Sequence, residues 1–319
     1  MSTWSNRQER ARRVELHRSR EPRVTIVVPA RNEARNLEVV LPELPAVHEV
    51  ILVDGNSVDG SIETARRVMP GIKVVRQTRR GKGNALACGF EAATGDIIVM
   101  FDADGSADPA EIEHFVAALV AGADFAKGTR FVEGGGSDDI TAFRKLGNFF
   151  LNTTTNILFG TKYTDLCYGY NAFWRDIVGV IDLRDTSIPD TDGHIQWGDG
   201  FEVETIINCR VAAAGLSISE VPSVERLRIF GHSNLNAVRD GFRVLRTIMT
   251  ERRRAGRTRA TAASLAAKVP KSALAAVPEF ESRRMGPFLR PARRLEVVDL
   301  RDRKRMANAT DSEVSGETA

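Results

Sequence analysis

Two aspartates one residue apart, Asp102 and Asp104, end an apolar run in the stretch IIVMFDADGSADP at positions 97–109. Paired carboxylates at this spacing are hard oxygen donors suited to Mg2+ or Mn2+, and such an ion in turn holds a diphosphate. Chemistry of this kind needs a rigid mount. The apolar residues before Asp102 read as a buried strand of a parallel sheet, and Gly105, Ser106, Asp108 and Pro109 as the turn after it. In open α/β sheets ligands bind beyond the carboxyl ends of the strands, where this pair would stand. A strand end with two solvated acids has the same local pattern, so the rest of the chain has to decide.

The elements that would position the pair recur over the first 131 residues. Apolar runs at 24–29 (VTIVVP), 49–54 (EVILVD), 73–77, before Asp102, and at 123–131 alternate with helical stretches. These helices end near Leu41, span 61–68, end near Ala93 and span 109–120. Such alternation predicts an α/β fold, a Rossmann-like and mostly parallel sheet with helices on both faces. Right-handed crossovers then bring the polar loops 29–33, 54–60 and 102–108 to one edge. The glycine-rich basic loop 79–84 (RRGKGN) opens a helix. Further on, 133–140 (EGGGSDDI) reads as a mobile lid and 141–159 as a helix. The aromatic stretch 165–174 (DLCYGYNAFW) reads as a pocket wall, and 198–214 as an apolar helix opening with GDGFEVE. A late strand at 217–223, a polar loop at 226–235 (RLRIFGHSNL) and a helix at 236–249 complete the pattern, with no internal repeat.

Composition narrows the classes. The 45 Lys and Arg residues nearly balance 42 Asp and Glu, which argues against a nucleic-acid partner. The basic residues crowd into the first 23 positions and the region after Arg243. Cys88, Cys167 and Cys209 lie far apart, without a CxxC, which fits a reduced cytoplasmic chain rather than a disulfide framework or zinc site. The first residues hold charges and no apolar core of a signal peptide, and no 18-residue apolar run is present to span a membrane.

Seven segments together resemble the family 2 glycosyltransferases of the GT-A fold, above all the dolichol- and polyprenyl-phosphate hexose synthases. They are VTIVVPARNE (24–33), VILVDGNSVDGS (50–61), RGKGNAL (80–86), GDIIVMFDADGSADP (95–109), TDLCYGYNAF (164–173), GDGFEVE (198–204) and RLRIFGHSNL (226–235). The resemblance implies one catalytic domain over 23–251, with a nucleotide-sugar half (23–131) and an acceptor half (132–251). A basic arm (1–22) precedes it and a basic flexible tail (252–319) follows. It also implies roles. Pro29, Arg31 and Glu33 line the nucleoside pocket, and Asp54 contacts base or ribose. Lys82 meets phosphate, with backbone N–H groups of a helix start. Asp102 and Asp104 bind the metal, Mg2+ or Mn2+, which offsets the charge on the departing diphosphate. Asp199, Glu202 and Glu204 match the region of the catalytic acid, where a carboxylate beside an acceptor hydroxyl serves as general base. Arg228, Gly231, Ser233 and Asn234 match an acceptor motif in which Arg228 grips phosphate. His194 and Trp197 could touch the acceptor, although a lone His is more often structural or exposed.

The chain departs from the family pattern twice. Ser106 stands where the polyprenyl-phosphate enzymes often carry Gln, which leaves water or His232 as a third metal contact. Asn234 replaces the usual Lys of the acceptor motif. The expected activity is transfer of a hexose from a nucleotide-diphosphate sugar, of the GDP-mannose or UDP-glucose type, to a polyprenyl phosphate at the inner face of the cell membrane. Arginines at 252–254, 257 and 259 would hold an anionic leaflet at roughly 1 kcal/mol each. A soluble acceptor is the alternative, since RGKGNAL also resembles a segment of the glucosyl-3-phosphoglycerate synthases. A nucleotidyltransferase or a nucleotide-sugar-binding protein is a third reading, against which PARNE stands, since it is not a glycine- and arginine-rich signature. A homodimer follows by analogy.

Overall fold

The computed structural model describes residues 18, 19, 21–189, 194–231 and 237–268. The first strand, β1 (Val24–Ala30), is an unbroken β-branched run whose Ile26, Val27 and Val28 are wholly buried. A strand buried on both faces lies inside a parallel sheet. It is paired on one side to β2 (Glu49–Asp54), with Val28 opposite Leu52, and on the other to β4 (Ile97–Met100), with Val27 opposite Met100. Strand β3 (Lys73–Arg76) extends the β2 edge. Helices α1 (Ala34–Glu43), α2 (Ser61–Val68) and α3 (Lys82–Ala92) make the crossovers. Beyond β4 come a short 3-10 turn, α4 (Ile112–Val120), β5 (Phe125–Thr129) and β6 (Gly136–Ser137). They are followed by α5 (Ala142–Phe159), β7 (Asn171–Trp174), α6 (Val178–Ile181), α7 (Val203–Ala214), β8 (Ile218–Pro222), β9 (Val224–Glu225) and α8 (Ala237–Lys268).

The main sheet has seven strands in the order β3-β2-β1-β4-β7-β5-β8. The order reverses between β1 and β4, so the crevice at the carboxyl ends of these two strands is the switch point where α/β sheets take ligands. Alternate residues face opposite layers. Ile26 and Val28 of β1 join Leu37, Leu41, Phe115 and Leu119 on one face. Val27 joins Leu86, Phe90, Val203 and Ile207 on the other. A third cluster, Leu151, Tyr163, Leu166, Cys209 and Ile248, binds α5, α7 and α8 together.

The α/β architecture expected above is observed, with four revisions. Strand β7 lies antiparallel between β4 and β5, where the sequence suggested only a pocket wall. Its four residues alternate too briefly to show a period. The 133–140 segment is not all loop, because β6 pairs with β9 and the Ser137 hydroxyl donates to Glu225 over 2.5 Å. The helix expected from 198 begins at Val203 after a turn. The helix expected to stop at Met249 runs on to Lys268, so a boundary at 251/252 falls within α8. Ala and Arg are strong helix formers, and the segment read as tail is made largely of them. The three cysteines are free thiols, and among the described residues no helix is long and apolar enough to cross a membrane. The arm before residue 18 and the tail beyond Lys268 lie outside the described residues.

Candidate active site

The carboxyl end of β4 delivers Asp102 and Asp104 to the crevice, and each meets a cation from another element. The Lys82 ammonium, at the start of α3, lies 2.7 Å from Asp102 Oδ1 and 2.7 Å from Glu204 Oε1 of α7. Burial works against the charge on Lys82, but the two carboxylates outweigh it and hold the ammonium above its ordinary range. Arg228 donates to Asp104 Oδ2 at 2.8 Å and to Glu33 Oε1 at 3.2 Å. Burial pushes the Glu33 carboxyl up against the opposing pull of Asn36 and Arg228. The crevice therefore holds acids and cations in alternation, open enough that the Asp102 side chain is 36% exposed.

Local sequence explains the placement. Gly81 has φ +127°, and a Cβ there would lie 2.0 Å from the Asp199 carbonyl oxygen. Only glycine lets the 79–84 loop lie flat on the 198–199 backbone, where the Gly83 N–H donates to Asp199 O at 2.8 Å. Gly169, in the aromatic stretch, lies against the Lys82, Glu204 and Asp102 group, and a Cβ there would stand 3.2 Å from Lys82 Nζ. The loop 226–231 closes over the β4 loop. Ile229 N–H donates to Asp104 O, Arg226 N–H to Ser106 O, and Asn36 exchanges hydrogen bonds with the Phe230 backbone.

The expected site residues divide into three groups. Asp102, Asp104, Lys82, Glu33 and Arg228 converge on the crevice. Pro29 lies within β1, and Arg31 follows the carboxyl end of that strand. Arg31 lines a cavity of about 250 Å³ with Gly55, Asn56, Gln77, Thr78, Arg79 and Arg80. Asp54 lies at the neighbouring strand end, buried, its carboxylate accepting from Ser57 N–H at 3.2 Å. That bond shapes the turn beside the cavity.

Two expected catalytic carboxylates are engaged elsewhere. Asp199 is held by a fork of two hydrogen bonds from Arg79, at 2.7 and 2.9 Å, with side chains only 2% and 1% exposed. Its part is to fix the 79–84 loop, and it does not face the crevice as a base would. Glu202 accepts from Gly198 N–H at 2.8 Å and braces the turn before α7. Glu204, two residues on, is the acid of this segment that reaches the crevice, where it pairs with Lys82. Arg79 was missed altogether, and its signal lay only in the buried partner supplied from far along the chain. His194 is exposed, and Trp197 lies 6.0 Å beneath the Arg246 guanidinium. His232, Ser233 and Asn234 lie outside the described residues.

The donor set suits a divalent ion of the magnesium type. Such ions take one or two carboxylates and fill the remaining positions with water and substrate phosphates. Asp102 and Asp104 are the two acids from which the resemblance implied a metal site, and among the described residues no group of three or more His, Cys, Asp and Glu is placed to hold an ion. The Ser106 hydroxyl donates to Asp104 Oδ1 at 2.7 Å and orients that carboxylate.

Comparison with known proteins gives the family. Residues 25–181 match the family described as Glycosyl transferase family 2. The chain is 30% identical over 226 residues to a polyprenol monophosphomannose synthase of Mycolicibacterium smegmatis, covering 67% of this chain and 81% of that one. It is 32% identical over 224 residues to an undecaprenyl-phosphate mannosyltransferase of Micrococcus luteus, covering 67% of this chain and 88% of that one. The fold matches a crystal structure of glucosyl-3-phosphoglycerate synthase from Mycobacterium tuberculosis with Mn2+, UDP-glucose and phosphoglyceric acid, at 21% identity and TM-score 0.55, over 72% of this chain and 80% of that one. With a parallel switch-point crevice and this degree of kinship, the chain belongs to glycosyl transferase family 2 and is a glycosyltransferase of the GT-A fold.

Proposed function

We propose that the protein transfers a hexose from a nucleotide-diphosphate sugar to a polyprenyl phosphate in a divalent-metal-dependent, inverting reaction. One observation favours a phosphate acceptor. Of the three carboxylates of the 198–204 segment, Asp199 is sealed by Arg79 and Glu202 accepts from Gly198 N–H, so Glu204, paired with Lys82, is the single one that reaches the crevice. A phosphate acceptor is anionic at neutral pH and needs no base. The names of the mannosyl-transferring relatives point the same way.

In this reading the nucleoside lies in the cavity beside Arg31, Gln77 and Arg80, and the diphosphate runs toward Asp102 and Asp104. These two acids would hold Mg2+ or Mn2+, which supplies Lewis-acid stabilisation of charge on the leaving diphosphate. Lys82 and Arg228 border the same space and can transfer their hydrogen bonds from carboxylate to phosphate oxygens. An acceptor phosphate oxygen attacks the anomeric carbon from the opposite face. The bond from that carbon to the diphosphate breaks, and the nucleoside diphosphate departs with the electron pair.

The test is a screen of purified protein with Mg2+ or Mn2+ and labelled GDP-mannose or UDP-glucose. Each donor is offered a short-chain polyprenyl phosphate or 3-phosphoglycerate. Metal-dependent label in the organic phase supports the reading and identifies the donor. Label confined to a water-soluble product replaces the acceptor with a soluble one. Release of pyrophosphate instead of nucleoside diphosphate rejects glycosyl transfer.

A further inference from the structure

Asn36 is a buried amide in the first turns of α1, only 3% exposed, and it ties together parts of the chain 194 positions apart. Asparagine is a weak helix former because its amide competes for backbone groups, and a buried amide needs partners. Here the competition is directed across the fold. Asn36 takes both backbone groups of Phe230: its Oδ1 accepts from the Phe230 N–H at 3.0 Å, and its Nδ2 donates to the Phe230 carbonyl at 3.2 Å. Nδ2 also donates to Glu33 Oε2. The Arg35 guanidinium covers the Phe230 ring, 4.0 Å from its centroid.

The base beneath Asn36 is fixed. The start of α1 has no cap from its own N-cap side chain, and the 57–61 turn supplies one. Ser57 Oγ accepts from the Asn32 N–H and Ser61 Oγ from the Glu33 N–H, both at 2.9 Å, and Asp59 Oδ2 accepts from the Ala34 N–H at 3.0 Å. These bonds satisfy donors that a helix start leaves open. On its other side the 226–231 loop rests on the β4 loop, with Ile229 N–H donating to Asp104 O at 3.1 Å. Gly105, at φ +76°, makes room for Ile229, whose Cδ1 would lie 2.4 Å from a Cβ there. Phe230 is two residues from Arg228, so a grip on the Phe230 backbone limits where that guanidinium reaches. It reaches the space between Asp104 and Glu33. The Glu33 carboxylate is then held at both oxygens, by Arg228 at Oε1 and by Asn36 at Oε2.

We propose that Asn36 is a positioning residue: by clamping the Phe230 backbone and Glu33 together, it sets the Arg228 guanidinium over the crevice. Asn36 acts through Arg228 and touches no substrate. The inference rests on the reading of the crevice as the site of transfer, with Arg228 meeting phosphate there, and is indifferent to which acceptor is used. A misplacement of about 1 Å at such a group costs on the order of a hundredfold in rate.

The experiment combines a double-variant cycle with amide hydrogen exchange. Asn36→Ala should lower kcat/KM about a hundredfold, and Arg228→Gln should cause a loss of similar size. In the Arg228→Gln background, Asn36→Ala should cost less than about twofold more, because the residue it positions is already gone. Exchange at the Ile229 and Phe230 amides should rise at least about tenfold in Asn36→Ala, with the β1 and β4 amides unchanged. Asn36→Asp keeps an oxygen facing the Phe230 N–H but loses the donor to the Phe230 carbonyl and to Glu33. It should reproduce the non-additivity, and it carries the cycle if the alanine variant does not fold. Asn156→Ala removes the same two-sided grip from the Tyr163 backbone, where both bonds are 2.8 Å. It should lower the melting temperature and keep kcat/KM within about threefold. Losses that add in the Asn36/Arg228 cycle overturn the proposal, as do wild-type exchange at Ile229 and Phe230 in Asn36→Ala and an equal loss of activity in Asn156→Ala. Should neither polyprenyl phosphate nor 3-phosphoglycerate yield product, the proposed reaction falls, and the exchange measurement alone decides whether Asn36 anchors the loop.

Discussion

Arg79 and Lys82 sit three positions apart in one loop, and their surroundings give them opposite tasks. Arg79 is sealed against a single carboxylate, Asp199, in a bidentate pair with almost no solvent contact. Lys82 is shared between Asp102 and Glu204 at the edge of an open crevice. A closed one-to-one pair has no vacancy for a ligand and acts as a brace. A cation shared between two acids beside solvent can exchange partners when a polyanion arrives. The same ionic chemistry is therefore structural or functional according to burial and stoichiometry, a distinction that residue type alone does not make.

This contrast is open to direct tests. The largest effect is expected at the crevice: Asp104→Ala should lower kcat/KM about a thousandfold, roughly 4 kcal/mol in the barrier. The melting temperature should stay within about 2 °C, because the pair with Arg228 is partly solvated. Normal nucleoside diphosphate release by this variant would end the assignment. At the brace the signs reverse. Asp199→Asn strands the buried Arg79 charge, and unfolding titrations should show a loss of about 3–5 kcal/mol. Its folded fraction should keep kcat within about tenfold, whereas a catalytic base would lose nearly all activity.

Lys127 of β5 gives a third arrangement, a fully buried cation whose ammonium donates to the Gly128 and Tyr168 carbonyls at 2.8 and 2.7 Å. Burial, only partly offset by Asp165, pushes it down from 10.5 to about 8. Between those values the unfolded chain binds the proton and the folded chain does not, so stability rises with pH across this window. Below about 8 both states are protonated and the contribution is flat. Wild type should gain about 3 kcal/mol relative to Lys127→Met between pH 8 and 10.5, measured by urea denaturation. A flat difference would show that the charge is compensated like that of Arg79. The smallest effect in the series is at Lys82. Lys82→Met should cost about a hundredfold in kcat/KM, chiefly through a raised KM for the donor sugar nucleotide. An unchanged KM would class Lys82 with the braces.

The first half was legible because buried parallel strands are continuous apolar runs, and the point where each run stops locates the polar residues at its carboxyl end. VTIVVP, EVILVD and IIVM are buried on both faces, and Asp54, Asp102 and Asp104 stand where those runs end. The second half was less so. Glu202 and Glu204 are equivalent in a sequence, and the choice between them depends on the turn that starts α7 at Val203. The Arg79–Asp199 pair spans 120 positions, and the proximity of its members is a property of the folded chain alone. Strand β7 escaped because antiparallel insertion leaves no mark in four residues. The length of α8 was hidden by charge, since an arginine-rich helix and an arginine-rich solvated segment share a composition.

The insertion of β7 also bears on how the chain is made. Strand β5 pairs only with β7 and β8, and it has no neighbour until Asn171 has been synthesised. About 40 residues separate the two, a delay of roughly 2–8 s at usual elongation rates. Over that interval β1 to β4 can assemble from the ribosome outward, while the wholly buried Ile97–Met100 strand presents an open apolar edge. Exposed edges of this kind template intermolecular pairing. Nascent chains stalled between Thr129 and Asn171 should therefore depend on holding chaperones, and those released after Pro222 should not.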